Sequence, residues 1–420
     1  MSRLLGAMRP TVGFLATEAI LAILFSSPTP ALAVDGTHPN GAVICEGGAP
    51  YYGSGAFYGV TSTGGANNLG VVYKIATDVS HTETILHAFT GADGSNPTGM
   101  LAGPPNVAGV STLYGVTSNG GAHSDGTIYK ISTSGTFTTL YSFSGVDGIH
   151  PTSVIWDGAD ALYGTCSAGG TASSGTIFRF SLSTSTLTVL RSLSSADGTN
   201  PSSNLFLDGT TLYGAAPNGG SGYGTVFSIG TGGTAFTVLH SFNSTAGANP
   251  ACRLIKQVGT TTTLLGTTKS GGTNNTGTIF SINENGSGFT QLATFGAGGA
   301  SNLTGVNPVD GFSTYTTGSG GGTTYWGLTS GGGTGNGGVL YAFTIANGIQ
   351  GMVYFTSNTT NSFYAMGYSP VGPPAIFPTI VGGPLFYMVS NYYGGTSNNN
   401  NGVLFAWVGN QPDMYHTFGL

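Results

Sequence analysis

The chain has 420 residues, of which 74 are glycine, 39% are hydrophobic and only 6% are charged. This scarcity of charge excludes a solvated disordered chain, which combines low hydrophobicity with many charges. It also argues against long amphipathic helices, whose polar faces carry Glu, Lys and Arg. The formal net charge of −6 excludes nucleic acid as a partner, because phosphate neutralisation needs an excess of Lys and Arg.

The first 33 residues differ from the rest. Arg3 and Arg9 precede the apolar run "TVGFLATEAILAILF", which is followed by "SSPTPALA". A basic start, an apolar middle and a small-x-small end predict a secretory signal peptide over residues 1–33, cleaved before Val34. Glu18 interrupts the apolar run, and an uncleaved membrane anchor is the alternative. No later stretch is apolar enough to span a bilayer, so we expect a mature chain that is not membrane-inserted and is secreted or extracellular, in the periplasm or at the cell surface.

One phrase recurs along the remaining chain. "LYGTCSAGGTASSGTIF" begins at Leu162, and near-copies begin at Leu113, Leu212 and Leu264. Seven copies, about 50 to 60 residues apart, are anchored on the tyrosine of the phrase or its replacement: Tyr58, Tyr114, Tyr163, Tyr213, Leu265, Trp326 and Phe386. Self-similarity on this scale indicates a repeat architecture.

Each copy contains four short apolar runs separated by turn residues. In the third copy the runs are "SVIWD", "ALYGT", "GTIFRFS" and "LTVLRSL". Four short, evenly spaced strands per unit predict a propeller blade, and the Gly-Gly pair permits positive φ in the hairpin after the second strand. We therefore predict an all-β fold, a seven-bladed β-propeller with four antiparallel strands per blade. A parallel β-solenoid is the alternative.

The phasing extends to both chain ends, which leaves seven whole units over residues 34–420. "DGTHPNGAVIC" near the start matches a first strand, and "MYHTFG" near the end matches a fourth. A ring that closes after whole units exposes no sheet edge. The predicted blades cover approximately 34–90, 91–143, 144–193, 194–243, 244–294, 295–355 and 356–420.

The repeated pattern, "LYG-T-x-x-GG" followed by "GT-[IV]-[FY]" and later "DG-x-x-P", resembles the GloVer tandem repeat of secreted bacterial proteins, named after Gloeobacter and Verrucomicrobia. The resemblance is strong in units one to five and weak in six and seven. It implies a propeller-type fold and an extracellular location, and it implies no settled activity. Family members often carry a C-terminal sorting anchor; no such tail precedes Leu420, which favours free secretion.

A polar residue precedes proline in the turn before the first strand of six units. These candidate ligand-binding residues are His38, Asn96, His150, Asn200, Asn249 and Asn307. If the first strand is innermost, they form a ring at one mouth of the central channel, where amides and imidazoles would suit a hydroxyl-rich ligand. The alternative is turn chemistry alone, in which each side chain bonds the nearby backbone.

Aspartates recur just ahead of that turn, in "DG" pairs. They are Asp35, Asp93, Asp147 and Asp197. A ring of carboxylates would bind calcium, but units five and six lack the Asp, and Asp-Gly is a common turn pair. We therefore predict no metal site and no cofactor.

The three cysteines fall in three different repeat units. They are Cys45, Cys166 and Cys252. Disulfides require short Cα separations, so we expect three buried, small, apolar side chains.

Signatures of catalysis are missing from the sequence. There is no G-x-S-x-G elbow and no H-x-x-H pair for a metal, while His87, His240 and His416 fall inside fourth-strand runs. The leading hypothesis is a secreted, non-catalytic binding or surface module that recognises extracellular glycan or an envelope protein. The alternatives are a propeller-type polysaccharide lyase or hydrolase with residues at the channel rim, and a structural matrix protein.

Overall fold

The computed structural model describes residues 35–46, 55–78, 81–103, 112–250, 252–259, 262–296, 304–316, 323–333, 335–355, 368–378, 384–392, 402–408 and 411–418. These residues form strands, turns and bends, and none of them is helical. Within these ranges the structure accordingly offers no helix that is long and apolar enough to cross a membrane. The predicted signal peptide lies outside the described residues.

The described strands form seven antiparallel sheets, each built from one continuous stretch of chain. The first sheet contains β1 (Gly36–Pro39), β2 (Ile44–Glu46), β3 (Ala56–Gly64), β4 (Val71–Ala76) and β5 (Glu83–Ala88). The second contains β6 (Ser95–Ala102), β7 (Thr112–Asn119), β8 (Thr127–Ser132) and β9 (Phe137–Ser142). The third contains β10 (Ile149–Trp156), β11 (Ala161–Ala168), β12 (Thr176–Ser181) and β13 (Thr186–Ser192).

The remaining four sheets follow the same order. The fourth contains β14 (Phe206–Asp208), β15 (Thr211–Ala216), β16 (Thr225–Gly230) and β17 (Thr237–Ser241). The fifth contains β18 (Ile255–Lys256), β19 (Thr263–Thr268), β20 (Thr278–Asn283) and β21 (Thr290–Thr294). The sixth contains β22 (Val306–Thr316), β23 (Thr323–Gly331), β24 (Val339–Thr344) and β25 (Gly348–Tyr354). The seventh contains β26 (Tyr368–Pro378), β27 (Pro384–Tyr392), β28 (Val403–Val408) and β29 (Gln411–Thr417).

The seven sheets are the blades of a propeller, which confirms the predicted all-β, seven-bladed fold. In the first blade β1 and β2 both pair with β3, so they share the place of one first strand. In every blade the first strand lies at one edge of the sheet and the fourth at the other. First strands of neighbouring blades contact each other, as β6 does with β10 and β22 with β26, so they line the centre of the ring.

The glycine of the "LYG" phrase makes room for an aromatic ring of the third strand. Gly164 on β11 pairs with Phe178 on β12, and a Cβ at Gly164 would collide with the Phe178 ring. Gly115 and Tyr129 are related in the same way in the second blade. Both rings are fully buried, so this glycine lets an aromatic side chain lie flat across its own sheet and fill the space between blades.

The glycine of the "GT" pair, which reads "GV" in units one, six and seven, contacts a proline of the next blade. A Cβ on any of these glycines would lie within contact distance of that proline's ring, and all seven glycines have φ between 94° and 112°. The pairs are Gly70–Pro97, Gly126–Pro151, Gly175–Pro201, Gly224–Pro250, Gly277–Pro308, Gly338–Pro370 and Gly402–Pro39. Because only glycine adopts this φ without strain and leaves room for the proline, this position holds blade against blade.

The last of these pairs closes the ring between the seventh and first blades. Tyr387, Leu404 and Phe418 of the seventh blade pack in one core cluster with Phe57 and Tyr73 of the first. The Phe57 and Tyr387 rings have centroids 4.3 Å apart. Each described sheet comes from one stretch of chain, so the first and last blades share no described strand. Side-chain packing joins these two blades instead.

The three cysteines are buried, as predicted. Cys45 packs between the first and seventh blades, Cys166 between the second and third, and Cys252 between the fourth and fifth. Burial raises the pKa of the Cys252 thiol to about 12 and raises that of Cys166 further. These thiols are protonated at neutral pH and act as small apolar side chains.

Candidate functional site

The six predicted residues occupy one repeat position in six consecutive blades, near the start of the first strand or in the segment before it. Each has left-handed backbone geometry, with φ between 53° and 58°. Asparagine adopts this conformation more readily than most residues, and histidine is also enriched there. The prolines that follow are all buried, whereas His150 and Asn200 themselves are exposed.

The backbone amide of this position bonds to the preceding blade. Asn96 N donates to Leu69 O at 2.8 Å, and His150 N donates to Asp125 O at 3.0 Å. The same bond recurs at Asn200, Asn249 and Asn307, each to the residue just before the "GT" glycine of the preceding blade. The turn therefore hydrogen-bonds one blade to the next beside the glycine–proline contact.

The side chain of this position adds a second bond to the preceding blade. Asn96 Nδ2 donates to Ser62 O at 3.0 Å, and Asn200 Nδ2 donates to Ser167 O at 3.1 Å. His150 Nδ1 lies 2.8 Å from Ser118 O. Because a carbonyl can only accept, His150 Nδ1 carries the proton and Nε2 is left as an acceptor.

Two members of the ring vary this pattern. Asn249 Nδ2 donates to Pro217 O at 3.0 Å, and its Oδ1 accepts from Ser270 Oγ at 2.6 Å, so both ends of its amide are bonded. His38 turns instead to its own blade, where Nδ1 lies 2.8 Å from Thr63 Oγ1. These side-chain bonds therefore reach residues 21 to 34 positions away in the sequence and not the nearby backbone of the turn, and ligand binding by the ring stays a prediction.

The ring is most accessible at the third and fourth blades. Among the described residues, the His150 imidazole makes one hydrogen bond, through Nδ1, and the Asn200 amide group uses one of its two N–H donors. Asn218 Nδ2 and Thr199 Oγ1 lie within 3.4 Å of Asn200 Oδ1, which adds two polar side chains beside it. We call these two exposed residues, His150 and Asn200, the exposed arc.

Three of the recurring aspartates, Asp93, Asp147 and Asp197, lie in loops that join a fourth strand to the next blade. Each of these three carboxylates bonds a side chain of the preceding fourth strand and a backbone amide of its own loop. Asp93 Oδ2 lies 2.9 Å from His87 Nε2, and Asp93 Oδ1 accepts from Thr90 N at 2.8 Å. Within the described residues no three His, Cys, Asp or Glu side chains converge as metal ligands would.

The partner of the aspartate changes from blade to blade. It is His87 for Asp93, Tyr141 for Asp147 and Arg191 for Asp197, always six residues before the carboxylate. The His87–Asp93 pair resembles half of a catalytic triad, yet Tyr and Arg replace the histidine at the equivalent position. The pair joins the connecting loop to the fourth strand, a contact that Tyr and Arg make in the next two blades.

Stacking across blades accompanies these pairs. The His87 ring stacks on Phe137 at 3.7 Å with an interplanar angle of 4°, and the Arg191 guanidinium lies 4.6 Å from the Phe236 ring centroid. Burial raises the pKa of Asp197, but the hydrogen bonds from Arg191 and Ser194 outweigh it and hold that pKa below the usual value. The aspartate is ionised at neutral pH and retains its partner.

The fourth blade lacks this aspartate. His240 occupies the position of His87 and stacks on Phe289 at 3.7 Å, but Ala246 replaces the carboxylate. His240 Nε2 is buried and has no hydrogen-bond partner among the described residues, and burial lowers the pKa of the imidazole. Sequence reasoning missed this set of pairs, although the six-residue spacing between the aspartate and His, Tyr or Arg was visible in the repeats.

Comparisons with known proteins agree with the repeat. Residues 32–222 match the family model described as the Gloeobacter/Verrucomicrobia repeat. No curated protein matches the chain.

Several solved structures align with most of the chain at low identity. The β-propeller domain of the trilobed protease from Pyrococcus furiosus is 8% identical with a TM-score of 0.46, and the alignment covers 91% of this chain and 96% of that one. Oligogalacturonate lyase in complex with manganese is 11% identical with a TM-score of 0.46, covering 89% and 90%. TolB from Acinetobacter baumannii is 12% identical with a TM-score of 0.40, covering 85% and 81%.

Proposed function

Because residues 32–222 belong to the Gloeobacter/Verrucomicrobia repeat family, and because the chain folds as a seven-bladed propeller, we propose that it is a secreted, non-catalytic binding module for an extracellular glycan. The glycan binds at the mouth of the central channel, on the face that carries the ring of His38, Asn96, His150, Asn200, Asn249 and Asn307. The predicted signal peptide supports the extracellular location.

The exposed arc is the observation that carries this proposal. His150 and Asn200 occupy equivalent positions in adjacent blades, are exposed, and are held in place by bonds to the preceding blade. An imidazole acceptor and an amide donor in fixed positions complement the hydroxyl groups of a sugar. Since the backbone and one side-chain bond already restrain both residues, little conformational entropy is lost on binding.

The hydrogen bonds of the described histidines and aspartates support a non-catalytic role. The His87–Asp93 pair lies between the fourth strand and its connecting loop and is substituted in other blades. The exposed His150 imidazole bonds a backbone carbonyl through Nδ1, and that bond involves no carboxylate. A binding role therefore fits these contacts better than acid–base chemistry does.

The test is binding of the purified chain from Val34 to Leu420 to a glycan panel, with reaction products measured in the same samples. We expect saturable binding without product. His150→Asn keeps the side-chain bond to the preceding blade that asparagine makes in the second, fourth and fifth blades and removes the imidazole acceptor, so it should weaken binding about tenfold. His123→Asn, at an exposed position outside the ring, is the control and should bind like the unmodified chain.

Three other outcomes of this experiment would count against the proposal. Binding that His150→Asn and Asn200→Ala leave unchanged would place the site elsewhere and overturn the assignment to the exposed arc. Product release would favour the lyase or hydrolase alternative. If none of the glycans binds, the result would favour an envelope protein as the partner or a structural matrix role.

A further inference from the structure

A cavity of about 450 Å³ lies beside the turns of the fourth blade, at the end of the strands opposite the ring. Asn200 precedes the first strand of this blade, whereas Thr210 and Thr231 lie in turns after its first and third strands. The two sites therefore occupy opposite faces of the blade. The volume is within the range of about 300–1,000 Å³ typical of small-molecule sites.

Hydroxyl groups dominate the lining. The hydroxyl-bearing residues around the cavity are Thr210, Thr211, Tyr213, Ser228, Thr231 and Thr234. Each hydroxyl can donate one hydrogen bond and accept two, which matches the alternating donors and acceptors of a polyol. Burial, followed by the nearby carboxylates of Glu284 and Asp208, raises the pKa of Tyr213, so its hydroxyl remains a donor at neutral pH.

Glu284 is the one lining residue with a charged side chain, and it comes from the fifth blade. Lys256 Nζ lies 2.9 Å from Glu284 Oε1 and also bonds Asp208 of the fourth blade. One ammonium between two carboxylates leaves a local charge of −1 beside the cavity. Such a site favours a cationic ligand and opposes an anionic one.

The charged residues depart from the repeat. The position of Glu284 is Thr77, Thr133, Leu182 and Thr231 in units one to four, and the position of Lys256 is Trp156 and Leu207 in units three and four. The propeller forms in those blades without the charges. Packing of the repeat therefore does not explain why the fifth unit carries them.

We propose that this cavity binds an amino sugar, with its hydroxyl groups on the threonines, Ser228 and Tyr213 and its ammonium group beside Glu284. Lys256 fixes the Glu284 carboxylate in position and does not contact the sugar. The site is separate from the exposed arc, and it does not depend on the function proposed for the ring.

Calorimetric titration with glucosamine oligosaccharides tests this proposal, with N-acetylated chito-oligosaccharides and oligogalacturonates as matched probes. We expect saturable binding of the first, at least tenfold weaker binding of the acetylated form, and none of the anionic form. Glu284→Gln should weaken glucosamine binding at least tenfold while Asp125→Asn, which removes one carboxylate outside the cavity, leaves it unchanged.

A second variant separates binding from folding. Gly232 lines the cavity, its φ is not in the left-handed region, and a Cβ there would meet open space. Gly232→Leu should therefore fold normally and block the cavity. Equal binding of all three oligosaccharides, or binding that survives both Glu284→Gln and Gly232→Leu, would overturn the proposal. His150→Asn should leave this binding unchanged, so failure here and failure at the exposed arc are distinguishable.

Discussion

The ring of Pro39 packs directly against Gly402, and this contact joins the first blade to the last. The same pairing of a "GT" glycine with the next proline recurs at all seven junctions. No strand is shared between the first and last described sheets. Closure of the ring therefore depends on the same local contact that joins every other pair of blades.

We expect Gly175→Ala to destabilise the protein by about 2–6 kcal/mol. The added methyl group would collide with Pro201, which costs about 1–3 kcal/mol, and φ of 104° is strained for alanine by a similar amount. Chemical denaturation measures the change. Gly232→Ala, where the methyl group has room, should leave stability unchanged or raise it by up to about 1 kcal/mol; equal losses in both variants would contradict the account.

Removal of one buried hydroxyl should stabilise the protein. Tyr129 Oη is fully buried, with no hydrogen-bond partner in the part of the chain that the structure describes, and the third to fifth blades have phenylalanine at this position. We expect Tyr129→Phe to raise the free energy of unfolding by about 1 kcal/mol, because an unsatisfied buried polar group costs about 1–3 kcal/mol. Tyr141→Phe is the matched control and should destabilise, since the Tyr141 hydroxyl donates to Asp147. Destabilisation by both would indicate that Tyr129 Oη has a partner.

The unpaired histidine of the fourth blade makes stability depend on pH. Burial lowers the pKa of His240 in the folded state, whereas a histidine in an unfolded chain has a pKa of about 6.5. Below this pKa the unfolded chain binds more protons than the folded chain does. The contribution of neutral His240 to stability is therefore fully present above the unfolded pKa and is lost as the pH falls through the folded pKa. Denaturation at pH 7.5 and pH 5 should show a loss that is smaller in His240→Phe; an equal loss in both proteins would exclude His240 as its source.

Ala246→Asp should restore the missing pair. The new carboxylate would occupy the position of Asp93, whose Oδ2 lies 2.9 Å from His87 Nε2. We expect the pKa of His240 to rise and stability near pH 5.5 to increase by about 1 kcal/mol, the usual size of a hydrogen bond to a charged group after partial screening. Titration of the His240 ring by NMR gives the direction, and an unchanged or lower pKa would show that the loop of the fourth blade positions the carboxylate elsewhere.

Residues 1–33 are predicted to be cleaved from the chain during secretion. When the full chain is expressed with its native start in a bacterium that secretes it, the mature protein should begin at Val34. Mass spectrometry of the secreted protein measures this terminus. A mature protein that retains residues 1–33 and stays with the membrane would support the uncleaved anchor.

The sequence was sufficient to predict the propeller because one phrase carries both its strands and its junctions. The spacing of "LYG" and "GT" indicated the second and third strands of each blade, and glycine was needed at both positions for reasons that the structure now supplies. The turn of the seventh unit departs from the other six, because Ser369 replaces Asn or His before the proline. The Gly338–Pro370 contact is nevertheless retained.

The candidate sites were harder to predict, because they depend on contacts between units. The ring residues could be named from the repeated turn, but their bonds to the preceding blade follow from left-handed φ values that a sequence does not display. The cavity beside Glu284 combines residues from the fourth and fifth blades. Lys256 and Glu284 stand out only when aligned units are compared for residues that break the repeat.

The most direct test of the proposed function is titration of the chain from Val34 to Leu420 with a glycan that it binds, while reaction products are followed by mass spectrometry in the same samples. We predict saturable binding that His150→Asn weakens about tenfold, with the glycan recovered intact. Cleavage or elimination products that accumulate with time, and that disappear in His150→Asn, would contradict a non-catalytic binding module.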